Sequence, residues 1–484
     1  MKPEIVDSEE LRLILKEAIE DKTLYLPDIF NLIKCCEFFT YSTGIMRFDK
    51  IEKLDSELAT LLSPLRRQLS LRNVSKMDLD TLQKLMEVEV AKGSLDHKKR
   101  VLPCLEIGLE EIDPITAKIL NKTGSYLSLP NLKKIDPDSA WNLRGIAWGL
   151  LLGLETIDPE TASALVENLP KTSMSRNLIL PNLKSCDRES LKILSQVLFA
   201  PGKNPSWYIR PEVVFGFEEI DTETVALLSA EEGAQEREGF ISGTCPYLKR
   251  GTVDVFQAMA DSWKRTNNTN WLCFNSLESI NAAEAKALVS GVFGALLSLN
   301  GLKNLEQGVA EQLSKLKPHK KSIGYESPTL SLNGLVSITK EDAMHLASLR
   351  KFGELHLSGV KFIDESIASE LAKFSGSIYL DGLSSISDDA AKEISRLGHT
   401  CHESCDPSDR WWLQLDGITK LSDVAAKHLS TFEGSDLLLR GLKDLSILGQ
   451  ESFSNYKGCL HMKKKLWVAI IKIKNQRLSS NANV

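Results

Sequence analysis

No stretch of this chain reaches the 18 or more apolar residues that a membrane-spanning helix requires. Its first 22 residues, MKPEIVDSEELRLILKEAIEDK, hold acidic side chains where a secretory leader would hold an apolar core, so a cytoplasmic location is expected. Charge of neither sign dominates: 59 Lys and Arg stand against 65 Asp and Glu, for a net charge of -6. That balance gives no strong pull toward nucleic acid or anionic lipid. The nine cysteines are an odd number at scattered positions, which excludes a disulfide scaffold and fits buried thiols in a reducing compartment. Catalytic signatures are missing too. There is no G-x-x-x-x-G-K-[ST] phosphate loop, no G-x-G-x-x-G after a strand, no H-E-x-x-H and no G-x-S-x-G elbow. The expectation is a protein without catalytic activity or cofactor, although a triad scattered through the sequence would escape such a search.

What the chain has instead is a repeat. Leu330, Leu332, Leu335, Ile338, Ala343 and Leu346 form one copy. Ile378, Leu380, Leu383, Ile386, Ala391 and Ile394 form another, and Leu413, Leu415, Ile418, Leu421, Ala426 and Leu429 a third. Each is apolar at relative positions 1, 3, 6, 9, 14 and 17. The first two lie two apart, as on one face of a strand, and the last two lie three apart, as on one face of a helix. With position 9 as the anchor, fifteen units are found, from Leu32 to Leu445. Eight residues beyond the anchor, every unit from Leu54 to Leu421 carries Leu or Ile.

The anchor is followed by a helix start: Asp113-Pro114, Asp136-Pro137, Asp158-Pro159, Asp221-Thr222, Ser387-Asp388 and Ser422-Asp423. Asp or Ser offers an oxygen to unpaired N–H groups, and Pro fits the first helical position because its missing N–H has no partner there. Alanine recurs at position 14, where it lets the helix lie close to the strand layer. Six apolar side chains per unit offset the ordering entropy only when neighbouring units cover them, so no unit is expected to fold alone.

A strand and a helix in about 23 residues is a leucine-rich-repeat-like period. The unit Leu330-Ser331-Leu332-Asn333-Gly334-Leu335-Val336-Ser337-Ile338-Thr339 resembles the leucine-rich-repeat superfamily, most closely its cysteine-containing (RNI-like) class, with Leu335 at the class cysteine. The resemblance covers about residues 24 to 445 and implies an α/β solenoid, a horseshoe with a parallel concave sheet and convex helices. Replacement of that cysteine by an apolar residue in nearly every unit implies an apolar ladder in its place.

The expected organisation is an N-terminal helical cap (1–23), an array of about fifteen repeats (24–445) and a C-terminal cap and tail (446–484). Within the array, 230–270 is either an insertion or a degenerate unit, the latter preferred because it holds Trp263 and an apolar run over 253–260. The segments 95–103 and 315–321 read as basic, solvated linkers. Segment 462–474 joins a lysine cluster to Trp467 and aliphatic residues. That composition suits a capping element, and it also suits a helix lying on an anionic membrane.

Where the leucines of Leu-x-Leu point inward, the residues around them point outward together. This places Trp271, Asn275, His356, Tyr379, Asp381, Trp412, Gln414, Asp416 and Arg440 in parallel rows on the strand face. Aromatic and Arg side chains are the types that carry interface energy, so this face is the expected binding surface for another protein. Each aromatic could instead pack on a neighbouring loop. His399, Cys401, His402 and Cys405 bring metal-ligating types together, but their spacing matches no standard pair of C-x2-C sequences, so no metal is expected. The leading expectation is a non-catalytic scaffold. The alternatives are an enzyme or effector with its chemistry in an insertion, and a peripheral membrane protein attached through 462–474.

Overall fold

The computed structural model describes residues 46–48, 51–63, 68–87, 104–123, 126–144, 146, 149–167, 177–198, 213–229, 245–266, 272–291, 296–316, 329–349, 353–398 and 411–481. It divides into two compact units, Met1–Phe217 and Glu218–Val484.

The N-terminal unit holds a seven-stranded sheet: β1 (Met46–Arg47), β2 (Gln68–Leu71), β3 (Cys104–Ile107), β4 (Tyr126–Leu129), β5 (Gly149–Leu152), β6 (Asn177–Leu180) and β7 (Val213–Phe215). The C-terminal unit holds eight strands. These are β8 (Leu272–Cys273), β9 (Leu296–Ser298), β10 (Thr329–Ser331), β11 (Glu354–His356), β12 (Ser377–Tyr379), β13 (Trp412–Gln414), β14 (Asp436–Leu438) and β15 (Cys459–His461). In both sheets every strand pairs in parallel with its sequence neighbour, and a helix links each pair. Each unit is therefore an α/β solenoid with a leucine-rich-repeat-like layout.

The core follows the period. All thirteen Leu or Ile residues eight beyond the anchor, Leu62 to Leu429, are at most 2 % exposed. The position-14 alanines, Ala59 to Ala426, are equally buried. Each leucine removed from water contributes about 1.5–3 kcal/mol. The expected helix caps form as well. Asp113 accepts from the Thr116 N–H at 2.6 Å, Asp158 from Thr161 at 2.8 Å, Asp221 from Thr224 at 2.7 Å and Ser422 from Ala425 at 2.9 Å. Thr339 adds a capping box with Asp342.

The two sheets turn differently where the strand ends. From β2 to β7 two kinds of turn alternate: Arg72-Asn73, Gly108, Pro130-Asn131, Gly153, Pro181-Asn182, Gly216. The glycine turns are one residue shorter, so the buried side chains of β3 run Leu105, Ile107, Leu109 rather than at the spacing 1, 3, 6. A Cβ on Gly108, Gly153 or Gly216 would lie 1.8, 1.9 or 2.0 Å from the carbonyl oxygen of Arg72, Pro130 or Pro181. Above Gly108 and Gly153 the next asparagine reaches over: Asn131 Nδ2 donates to Arg72 O at 2.9 Å, and Asn182 Nδ2 to Gly153 O at 3.1 Å.

The C-terminal unit uses one turn throughout, Leu-Asx-Gly and its variants. Asn300 Oδ1 accepts from the Asn333 N–H (2.8 Å), Asn333 Oδ1 from Ser358 (2.9 Å), Asp381 Oδ1 from Asp416 (3.1 Å) and Asp416 Oδ1 from Arg440 (2.7 Å). These form a polar ladder from unit to unit. Leu335 and Leu383 are fully buried, and the polar ladder runs beside them.

Residues 245–266 hold a turn followed by a helix. Cys245 and Leu248 close the same turn as Leu332 and Leu335, with Leu248 N–H to Cys245 O at 3.2 Å and Leu335 N–H to Leu332 O at 3.1 Å. The helix Val253–Thr266 then buries Phe256, Met259, Ala260 and Trp263 beside the helix Ala282–Gly291. At the other end the sheet runs beyond Leu445, since β15 pairs with β14 and the helix Lys464–Asn481 follows it. No helix among the described residues is long and apolar enough to cross a membrane. The helical cap expected at 1–23, the 95–103 linker and the cluster His399, Cys401, His402 and Cys405 lie outside the described residues, as do 317–321 of the second linker.

Candidate functional site

The outward row of the C-terminal sheet is built by parallel register. His356 pairs with Tyr379, and Tyr379 with Gln414, so equivalent side chains stand side by side on adjacent strands. Between them the inward residues Leu355, Ile378 and Leu413 are fully buried. His356, Tyr379, Trp412 and Gln414 are each half-buried.

A chain of contacts links them. The His356 and Tyr379 rings lie 3.9 Å apart between centroids, and Tyr379 meets Trp412 edge to face at 6.2 Å. Glu354 takes His356 Nε2 at 2.9 Å and Thr329 Oγ1 at 3.4 Å. The His356 bond holds the Glu354 carboxyl below its ordinary range against the opposing effect of burial. Burial, then the Glu354 charge, pushes the Tyr379 hydroxyl up. The Tyr379 ring is thus packed between those of His356 and Trp412.

Four other expected contact residues serve the turn. Asp381 accepts from Gln414 Nε2 at 2.8 Å and Ser358 Oγ at 3.2 Å besides its ladder bond. Asp416 holds Arg440 through the backbone and through Nε at 3.2 Å, and the Arg440 side chain remains 59 % exposed. Asn275 accepts from Ser298 Oγ at 2.6 Å. The structure thus brings together His356, Tyr379, Trp412 and Gln414 across β11 to β13, with Asp381, Asp416 and Arg440 at their turn ends. Asn275 stands apart on the turn after β8, and Trp271 lies outside the described residues.

Glu354, Asp436 and His461 are not among the site residues expected from the sequence. Asp436 Oδ1 meets His461 Nε2 at 2.7 Å, extending the polar row to β15. The signal for His461 was the Cys-Leu-His alternation of 459–461, which lacks a second leucine.

No described protein family matches the chain, and no curated protein matches it. Among solved structures it is similar to one in the crystal structure of the yeast Rad7 and Elc1 complex. That match has 15 % identity and a TM-score of 0.36, covering 85 % of this chain and 88 % of that one. It is also similar to one in the Drosophila Toll–Spatzle complex, with 14 % identity and a TM-score of 0.28, covering 72 % of this chain and 44 % of that one.

Proposed function

We propose that this protein is a non-catalytic interaction scaffold that binds another protein on the strand face of its C-terminal sheet, around Tyr379 and Trp412. The observation that carries the reading is the contact series Trp412, Tyr379, His356, Glu354, in which two ring contacts are followed by a hydrogen bond. It packs two large aromatic side chains against neighbours yet leaves them half-exposed, so little side-chain entropy remains to be lost on binding. Aromatic anchors of this kind, rimmed by polar groups, are where binding energy concentrates. Gln414 and the exposed Arg440 supply that rim.

Affinity capture with the full chain tests the proposal. Tyr379→Ala with Trp412→Ala should abolish recovery of the partner, at about 2 kcal/mol or more for an anchor residue. Met344→Ala, at an exposed helix position, should leave recovery intact. Capture by the double variant at the wild-type level, with its fold intact by circular dichroism, refutes it.

A further inference from the structure

The helix Lys464–Asn481 has two apolar faces where a cap needs one. Leu466 and Ile470, four apart, are 4 % exposed and turn toward the protein, where the helix packs beside Ile447–Phe453. Trp467 and Val468 point the other way and are 46 % and 38 % exposed, with the half-buried Ile471 one turn beyond Trp467. Lysines bracket this outer strip. Lys464 precedes it by one turn, and Lys472 and Lys474 follow it, with Lys463 and Lys465 alongside. All five are exposed, and none has a described carboxylate in ion-pair contact. From 462 to 481 there are six cations and no Asp or Glu, in a chain of net charge -6.

We propose that this outer face is a membrane-surface site that takes anionic lipid headgroups, with Trp467 and Val468 entering the interface and the lysines contacting phosphates. The reasons are chemical. Lysine is a point charge on a flexible stem, without the fork that fixes a carboxylate in one orientation, so the cluster suits a fluid array of anions. Indole prefers the headgroup boundary, and long lysine stems keep their charge in water while the helix lies flat. An acidic protein segment would satisfy the charges but would leave the tryptophan strip without a role.

Co-sedimentation of the full chain with vesicles tests the site. Binding is expected to phosphatidylcholine–phosphatidylserine vesicles and not to pure phosphatidylcholine. Lys464→Glu, Lys465→Glu and Lys472→Glu combined should weaken it by about fivefold per lysine. All three side chains are exposed, and Glu in a first helical turn is favourable, so the fold should survive, checked by circular dichroism. Trp467→Ser should weaken binding further, whereas Tyr379→Ala with Trp412→Ala should not alter it. The proposal is overturned by no sedimentation, by equal sedimentation with pure phosphatidylcholine, or by wild-type binding of the triple variant. Binding to soluble polyglutamate as strong as to vesicles and unchanged by Trp467→Ser also overturns it, in favour of an acidic protein partner.

Discussion

Asp381→Ala separates the two roles that the turn residues of the C-terminal sheet could play. In the structure its carboxylate gathers three donors: the Asp416 N–H at 3.1 Å, Gln414 Nε2 at 2.8 Å and Ser358 Oγ at 3.2 Å. A hydrogen bond to a charged acceptor contributes about 1.5–3 kcal/mol net when buried. Asp381 is half-buried, so water replaces part of what is lost, and the two side-chain donors can turn to solvent. The backbone N–H of Asp416 cannot turn. A cost of about 2 kcal/mol follows, set by that orphaned donor. Asp381→Asn keeps an oxygen at the ladder position, as Asn300 and Asn333 do in the same sheet. Its amide donates where Asp381 accepted, and both Gln414 and Ser358 can present an oxygen to it, so its cost should stay below about 1 kcal/mol. Urea unfolding followed by circular dichroism reads both values from the midpoint. An alanine variant within about 0.5 kcal/mol of wild type would show that the ladder carries no stability. An asparagine variant as damaging as alanine would show that charge, not acceptor geometry, matters there.

Two further outcomes are expected. Gly153→Ala should cost about 3 kcal/mol or more, because its Cβ would lie 1.9 Å from Pro130 O and only backbone movement can relieve that; an unchanged thermal midpoint would refute the close approach. Acid should destabilise the array through its helix caps. The backbone N–H groups of Thr116, Thr224 and Ile367 hold Asp113, Asp221 and Asp364 below the ordinary 3.8, so their stabilisation is present above that value and lost as the pH falls below it. Thermal unfolding against pH should show the loss, and Asp→Asn at all three caps should flatten it. An unaltered acid slope in the triple variant would remove the caps from the account.

The parts of the fold legible in the sequence were those set by local, apolar periodicity. Leu62 through Leu429 recur at one offset because each fills the same gap between strand and helix, and Asp113 or Ser422 caps a helix three residues away. The candidate face was legible only as far as the strands extend. His356, Tyr379 and Gln414 end β11, β12 and β13, and strand alternation aims them outward correctly. Asp381, Asp416 and Arg440 lie two residues later, in the turn, where alternation no longer applies. Asp381 and Asp416 accept from the next unit's backbone instead. The network around Glu354 was not legible, since Thr329 lies on the preceding strand and Tyr379 on the following one, and they meet it and His356 only through parallel register.

From β2 to β7 the alternation of glycine and asparagine turns makes the period two strands rather than one. Removing a single unit from that stretch would set two glycine turns, or two asparagine turns, side by side, closing the space an asparagine spans or leaving its amide short of a carbonyl. Units within it are therefore gained or lost in pairs, whereas β1 and β2, which close with like turns, mark where the alternation ends. The C-terminal sheet, where Asn300, Asn333, Asp381 and Asp416 each hand one oxygen to the next unit, carries no such parity and can be lengthened by one.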